Sequence, residues 1–301
     1  DQLSLMCRDT DFPPMSLDIY ATPGAKIKVT GTNPLIYTWR VDSPVKEQQE
    51  HNRFIEDSRD LWDEFQRLAI KERSMRSASE AERKALRTKS DSISSIINQR
   101  ELKLMKELPI SNVWMEKLLR LSMSLKYNSR FTNKEEILAL YDRLNEEQKA
   151  SIEGQEIRVN LFPPKTVKEG DDMADADLFD LDGKVHHLAD FKGKYMLLDF
   201  WSSGCGPCIM ALPEMKEIQE QYKDRLTIIS LSSDTQTRWK AASTQHEMTW
   251  QNLSDLKQTA GLYAVYDVNG IPNYVLISPK GKIVKMWSGY GKGSLKLKMR
   301  R

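Results

Sequence analysis

The sequence predicts an α/β fold in its C-terminal part, a mixed sheet flanked by helices, preceded by a mostly helical N-terminal domain with a small β element. Three observations predict it. After about residue 168, short apolar runs alternate with a long amphipathic stretch, and the order strand, helix, strand implies parallel strands joined by a right-handed crossover. From about residue 46 to 107 the chain is densely charged and its apolar residues return at helical spacing. Between these regions, residues 150–172 lose periodicity and carry Gly154, Pro163, Pro164 and Gly170. A linker at 151–167 therefore divides an accessory domain, 1–150, from a second domain, 168–301. A length of 301 residues accommodates two cores.

Taken in order, residues 16–30 alternate as a strand through Leu17 and Ile19, break at Pro23-Gly24 and resume with Ile27 and Val29, the pattern of a β-hairpin. Phe54, Leu61, Phe65 and Leu68 then mark one face of long amphipathic helices, a core or partner-helix surface. Helices follow at about 111–126 and 133–147, the second opened by Thr132 with Glu135 in capping-box spacing. Beyond the linker, Tyr195 to Phe200 is a buried strand. A helix from about Gly206 to Tyr222 turns Ile209, Leu212, Met215, Ile218 and Tyr222 to one side. Leu226 to Leu231 is the next strand, and Tyr274–Ile277 with Ile283–Trp287 close the domain as a hairpin around Ser278-Pro279-Lys280-Gly281.

Lysine and arginine number 45 against 43 acidic residues, so no large basic field exists to hold a nucleic acid. No apolar run reaches the roughly 18 residues of a membrane span, and residues 1–20 lack the order of a secretory signal. Three cysteines are too few for a disulfide framework. Cys7 stands alone, an incidental thiol or a lipidated mature N-terminus; bulky Met6 before it weighs against processing there.

Cys205-Gly206-Pro207-Cys208 falls where a buried strand hands over to a helix. Unpaired N–H groups and the positive end of the dipole favour an anion at a helix start, so a thiolate at Cys205 is stabilised there. Pro207 suits the first turn, where its missing N–H has no helical partner. Two intervening residues bring Cys208 one turn on, within reach of a mixed disulfide at Cys205. The competing chemistry, half of a tetrahedral zinc site, needs two further ligands; His186 and His187 are adjacent while His51 and His246 are isolated, so no metal is assigned.

The surroundings of the motif resemble the thioredoxin superfamily. Leu198-Asp199-Phe200-Trp201 is similar to its central strand, Pro213 to the proline inside its helix, and Gly270-Ile271-Pro272 to its cis-proline loop. Asp182-Gly183-Lys184 and Leu188-Ala189-Asp190-Phe191-Lys192-Gly193-Lys194 are more similar to the TlpA/ResA branch of bacterial envelope proteins. The likeness covers about residues 168–290. Three positions depart from it: Gly204 where an aromatic residue is usual, Ala211 where many relatives carry an acid, and Ser230 where thioredoxins have a lysine.

The resemblance implies a thioredoxin-like thiol–disulfide oxidoreductase without a cofactor. Cys205 would attack a protein or peptide disulfide, Cys208 would resolve the mixed disulfide, and Asp199, its acidity weakened by burial, would serve Cys208 as base. Trp201, Gly206, Pro207, Ile271 and Pro272 are the expected substrate contacts. The peptide before Pro272 is expected to be cis, beside Cys205, with its backbone pairing to an extended substrate. A membrane or periplasmic electron donor, a periplasmic or envelope location and an export signal ahead of Asp1 complete the expectation. Two rivals stand: a thiol peroxidase, although the threonine usual before such a cysteine is missing from Phe200 to Gly204, and a non-catalytic envelope binding protein that uses the redox fold as scaffold.

Overall fold

The computed structural model describes residues 2–75, 79–128 and 130–299, and the chain divides into two units, Asp1–Leu161 and Phe162–Arg301. Unit one begins with four short strands, β1 (Gln2–Leu5), β2 (Leu17–Tyr20), β3 (Lys28–Thr30) and β4 (Arg40–Asp42). The expected hairpin over 16–30 does not form. The chain does turn at Pro23-Gly24, where Ala25 N–H donates to the Thr22 carbonyl at 3.0 Å and Gly24 takes φ 81°. Yet β2 pairs antiparallel with β1, and β3 with β4. Leu17 and Tyr20 of β2 are buried whereas β3 is exposed throughout, so the two strands share no apolar face that would set a register. Cys7 is partly buried against Leu17, Ile36 and Val41.

Among the described residues seven helices follow: α1 (Lys46–Asp57), α2 (Arg59–Ser74), α3 (Glu80–Glu107), α4 (Asn112–Tyr127), α5 (Lys134–Asp142), α6 (Glu146–Ala150) and α7 (Ile152–Leu161). The helical expectation for 46–107 crosses residues 76–78, which lie outside the described residues. The stripe expected on one face serves two clusters. Phe54 packs with Trp114 and Leu118, while Leu61, Phe65 and Leu68 surround Trp62, Ile93 and Ile97. Capping explains the boundaries. Ser79 and Glu82 form a capping box at α3, Ser111 caps α4, and Asn145 with Gln148 boxes α6, which cuts the expected helix 133–147 in two. The box expected from Thr132 does not form: Asn133 is the N-cap and makes no side-chain cap bond, its amide donating instead to the Glu136 carboxylate.

The segment 151–167 is not a linker over its first part. There α7 buries Ile157 and Leu161 in the cluster of Trp114, Leu118 and Leu121. Gly154, taken as a breaker, is a close-approach glycine, because a Cβ would lie 2.1 Å from the Gln148 carbonyl oxygen.

Unit two is built on a five-stranded sheet of order β11-β10-β7-β8-β9. Its elements run β5 (Leu178–Phe179), β6 (Val185–His186), β7 (Tyr195–Trp201), α8 (Gly206–Tyr222), β8 (Leu226–Ser232), α9 (Gln236–Gln245), β9 (Gln251–Leu253), α10 (Leu262–Val265), β10 (Asn273–Ile277), β11 (Ile283–Ser288) and α11 (Ser294–Met299). The sheet is mixed: β7 is parallel to β8 and antiparallel to β10, and β10 turns into β11 through Gly281 at φ 86°. Side chains alternate along central β7. Met196, Leu198 and Phe200 face a core with Leu178, Leu188 and α10, while Leu197 faces α8 through Ala211, Leu212, Met215 and Ile218. Asp199 and Trp201 continue the α8 side of the strand.

Candidate active site

Strand β7 ends at Trp201, three residues of loop follow, and Cys205 is the N-cap of α8. Cys208 N–H donates to Cys205 Sγ at 3.1 Å, so the first turn spends an otherwise unpaired donor on the first sulfur. The two cysteines form a disulfide with Cα atoms 5.2 Å apart. Cys205 is 8% exposed and Cys208 2%, and Gly206 and Pro207 between them face solvent. Pro213, inside α8, withholds a donor from the carbonyl of Ile209.

The loop before Cys205 is tied to the end of β8. Ser203 gives its N–H to Asp234 Oδ2 at 2.6 Å and its hydroxyl to Oδ1 at 3.0 Å. Tyr263 Oη lies 2.7 Å from the Trp201 carbonyl and 2.9 Å from that of Leu231, bridging the ends of β7 and β8. Burial pushes the Tyr263 phenol far above its ordinary range.

On the α8 side of the sheet runs a polar row. In register across the sheet stand Ser230 on β8, Asp199 on β7 and Tyr274 on β10. Asp199 is 2% exposed, and burial pushes its carboxyl up to about 7, opposed by the Ser230 hydroxyl, which donates to Oδ2 at 2.8 Å. The Trp250 indole donates to Ser230 Oγ at 2.7 Å. Tyr274 Oη is buried without a partner among the described residues.

The peptide between Ile271 and Pro272 is cis. Half-buried Ile271 packs against the cluster of Trp201, Cys205, Cys208, Trp239 and Ala242, and the Pro272 carbonyl accepts from Gly289 N–H at 2.8 Å. The residues Cys205, Cys208, Trp201 and Ile271 therefore meet at one end of the sheet, with Gly206 and Pro207 at its exposed rim. Trp201, expected as a substrate contact, is 1% exposed and packs with both cysteines in that cluster. The sequence reading missed Trp250, Asp234, Ser203 and Tyr263 and treated Ser230 only as a departure. Strand pairing could have aligned Ser230 with Asp199; Trp250 leaves no local signal.

The AhpC/TSA family model matches residues 170–286. The thioredoxin-like protein YneN of Bacillus subtilis (strain 168) is 31% identical over 121 residues, 39% of this chain and 69% of that protein. The thiol-disulfide oxidoreductase ResA of Geobacillus thermodenitrificans (strain NG80-2) is 32% identical over 139 residues, 45% of this chain and 79% of that protein. Other ResA relatives from Bacillus match over 61–64% of their own length. The thioredoxin domain of a thiol-disulfide oxidoreductase from Bacteroides vulgatus superposes with a TM-score of 0.41 and 28% identity, covering 45% of this chain and 99% of that one.

Proposed function

The chain belongs to the thioredoxin-like thiol–disulfide oxidoreductases, and from that premise we propose that it reduces protein or peptide disulfides with Cys205 as nucleophile and Cys208 as resolving thiol. The observation that carries the assignment is the placement of the pair: Cys205 at the helix start where a thiolate is favoured, Cys208 buried one turn on beside the strand that holds Asp199. In the reduced enzyme the Cys205 thiolate attacks one sulfur of the substrate disulfide, forming a mixed disulfide and expelling the other sulfur as thiolate. Cys208 then loses its proton to Asp199 and attacks Cys205 Sγ. The second substrate thiolate leaves, and the internal disulfide forms. Two electrons pass to the substrate, and an external thiol donor must return them. At neutral pH a carboxyl titrating at about 7 is half ionised and able to accept that proton.

An extended substrate segment would pair with the backbone at Ile271, whose side chain already packs on the cysteine cluster, with Gly206 and Pro207 at the rim of the contact. The resemblance to the TlpA/ResA branch supports a periplasmic or envelope location, with a membrane or periplasmic protein as donor. Among the described residues no helix is long and apolar enough to cross a membrane. Residues of unit one would serve to select or position a partner.

The test is stopped-flow reduction of a fluorogenic disulfide peptide by the reduced protein. Cys205→Ser abolishes the reaction, and Cys208→Ser accumulates a mixed disulfide on Cys205. Mixed disulfide on Cys208 in the Cys205→Ser protein would overturn the order of attack. Faster consumption of peroxide than of disulfide would move the assignment to a peroxidase. Localisation is read by fractionating cells that express the native gene.

A further inference from the structure

The Trp250–Ser230–Asp199 chain has a direction fixed by its chemistry. An indole N–H only donates, so Ser230 Oγ accepts from Trp250. A serine hydroxyl owns one proton, and the carboxylate oxygen 2.8 Å away is the acceptor placed to receive it. Ser230 is fully buried, Asp199 2% exposed and Trp250 8% exposed, so a hydroxyl proton turned elsewhere would forfeit this bond to a carboxylate in a buried site. Oδ2 is thereby committed as an acceptor in both protonation states of Asp199. In the ionised state it is half of the carboxylate, and in the neutral state it is the carbonyl oxygen.

We infer that Ser230, oriented by Trp250, is a positioning residue that commits Asp199 Oδ2 as a hydrogen-bond acceptor, so that the proton taken from the resolving cysteine is carried on Oδ1. The inference rests on the reading that Asp199 is the base for Cys208. The transfer balances within the pair: the Cys208 S–H bond breaks, an O–H bond forms at Oδ1, and no proton passes along the serine. Ser230 therefore tunes the base without relaying its proton.

The groups that face Asp199 come from several elements. Ser230 lies beside it on β8 and Tyr274 on β10, Trp250 just before β9 bonds to Ser230, and Tyr263 comes from α10; α8, packed on the same side of the sheet, carries Glu214 and the two cysteines. None of these is a cation. Both tyrosine phenols are pushed far upward, so neither titrates near neutrality. Glu214 is engaged by the N–H groups of Gly293 and Lys296 at 2.9 Å each. The Ser230 hydroxyl is thus the only group among them that bonds to the carboxyl, and it favours the ionised form.

The experiment follows the carboxyl carbon of Asp199 by 13C NMR in oxidised full-length protein, where neither active-site cysteine titrates, with Asp199→Asn assigning the signal. Ser230→Ala is expected to raise the Asp199 titration by about one pH unit, a tenfold change in proton affinity. Trp250→Phe keeps the ring and loses the donor, and should move the titration in the same direction by a smaller amount. Ser230→Thr restores a hydroxyl and should bring it back towards the parent value. In the reduced protein, the pH profile of mixed-disulfide resolution should shift upward with Ser230→Ala and not respond to that change in the Asp199→Asn background. An Asp199 titration that stays put, or falls, in both Ser230→Ala and Trp250→Phe would overturn the inference. Should Asp199→Asn leave resolution at its parent rate, the base assignment fails while the NMR titration still decides the role of Ser230.

Discussion

Each unit of this protein buries an acid, and the two are held in opposite ways. In unit one, Glu101 of α3 is fully buried between two cations of α4, Lys117 at 3.6 Å and Arg120, with Lys117 itself 6% exposed. In unit two, Asp199 is 2% exposed and, among the described residues, its carboxyl is bonded only by a hydroxyl. Pairing with cations favours the ionised form and turns an acid into a structural charge that fastens one helix to another. Burial without a cation leaves the two protonation states close in free energy near neutral pH, which is the property a base needs. The sequence writes both as single acidic residues; the company they keep separates strut from catalyst.

Removing the charge should therefore have opposite signs in the two places. Glu101→Gln leaves Lys117 buried without its counter-ion and is expected to destabilise unit one by about 3–5 kcal/mol. Native-state hydrogen exchange should register this at α3 and α4 amides, while disulfide reduction per folded molecule is unchanged. A loss below about 1 kcal/mol would erase the distinction, since it would mean that the cluster holds nothing together.

Asp199→Asn should do the reverse. Holding a carboxyl at about 7 when its ordinary value is 3.8 means that the folded state binds the proton more tightly than the unfolded state does. Stability is then unaffected below pH ~4, falls as pH rises through the window between about 4 and 7, and stays level above it, at a cost of roughly 4 kcal/mol. The asparagine escapes that cost but must bury an amide N–H₂ next to unpartnered Tyr274, which takes back about 1–2 kcal/mol. The oxidised variant is thus expected to be about 2–3 kcal/mol more stable than the parent at pH 8 and no more stable at pH 4. Urea unfolding at the two pH values measures this. The same substitution should slow resolution of the mixed disulfide about 100-fold and spare the first attack. Equal slowing of both steps would remove Asp199 from its assigned role.

Legibility followed the same division. From Tyr195 to Tyr222 the strand, the helix start and the cysteine spacing are local in the chain, and β7 and α8 lie where the apolar run and the 3.6-residue period put them. In the first 45 residues the periodicity marked β2 and β3 but not their partners, because pairing is decided by which faces are buried and not by proximity to a turn. Gly154 misled because a glycine written for flexibility and one written for close approach look alike until the neighbouring backbone is known. At the site, the residues that touch the sulfurs were readable, whereas those that hold these in place come from elsewhere. Asp199 takes its bond from Ser230, 31 residues away, and Ser230 takes its own from Trp250, a further 20 residues on. No period or motif spans such separations; only strand order brings them together.

Asp234 supplies a third way of holding an acid and the mildest test of the comparison. It is half-buried and meets no cation among the described residues, yet its carboxylate accepts from the Ser203 N–H at 2.6 Å, from the Ser203 hydroxyl at 3.0 Å and from the Ser232 hydroxyl at 3.3 Å. These bonds fasten the carboxylate to the loop, so Asp234 belongs with the struts, although it stands beside the chemistry. Its object is the loop Ser202–Gly204, which sets where Cys205 begins α8. Asp234→Asn keeps one carbonyl acceptor and replaces the other oxygen with a donor, breaking at least one of the two bonds to Ser203. A charge-assisted bond at a half-buried position is worth about 1.5 kcal/mol, enough to speed exchange of the Ser203 amide roughly tenfold while global unfolding barely moves. The first attack by Cys205 should weaken by a factor of a few, because the thiolate loses a fixed loop and keeps its helix start. Unchanged exchange at Ser203 would mean that the Tyr263 bridge alone fixes the loop, and Tyr263→Phe would then be the variant that loosens it.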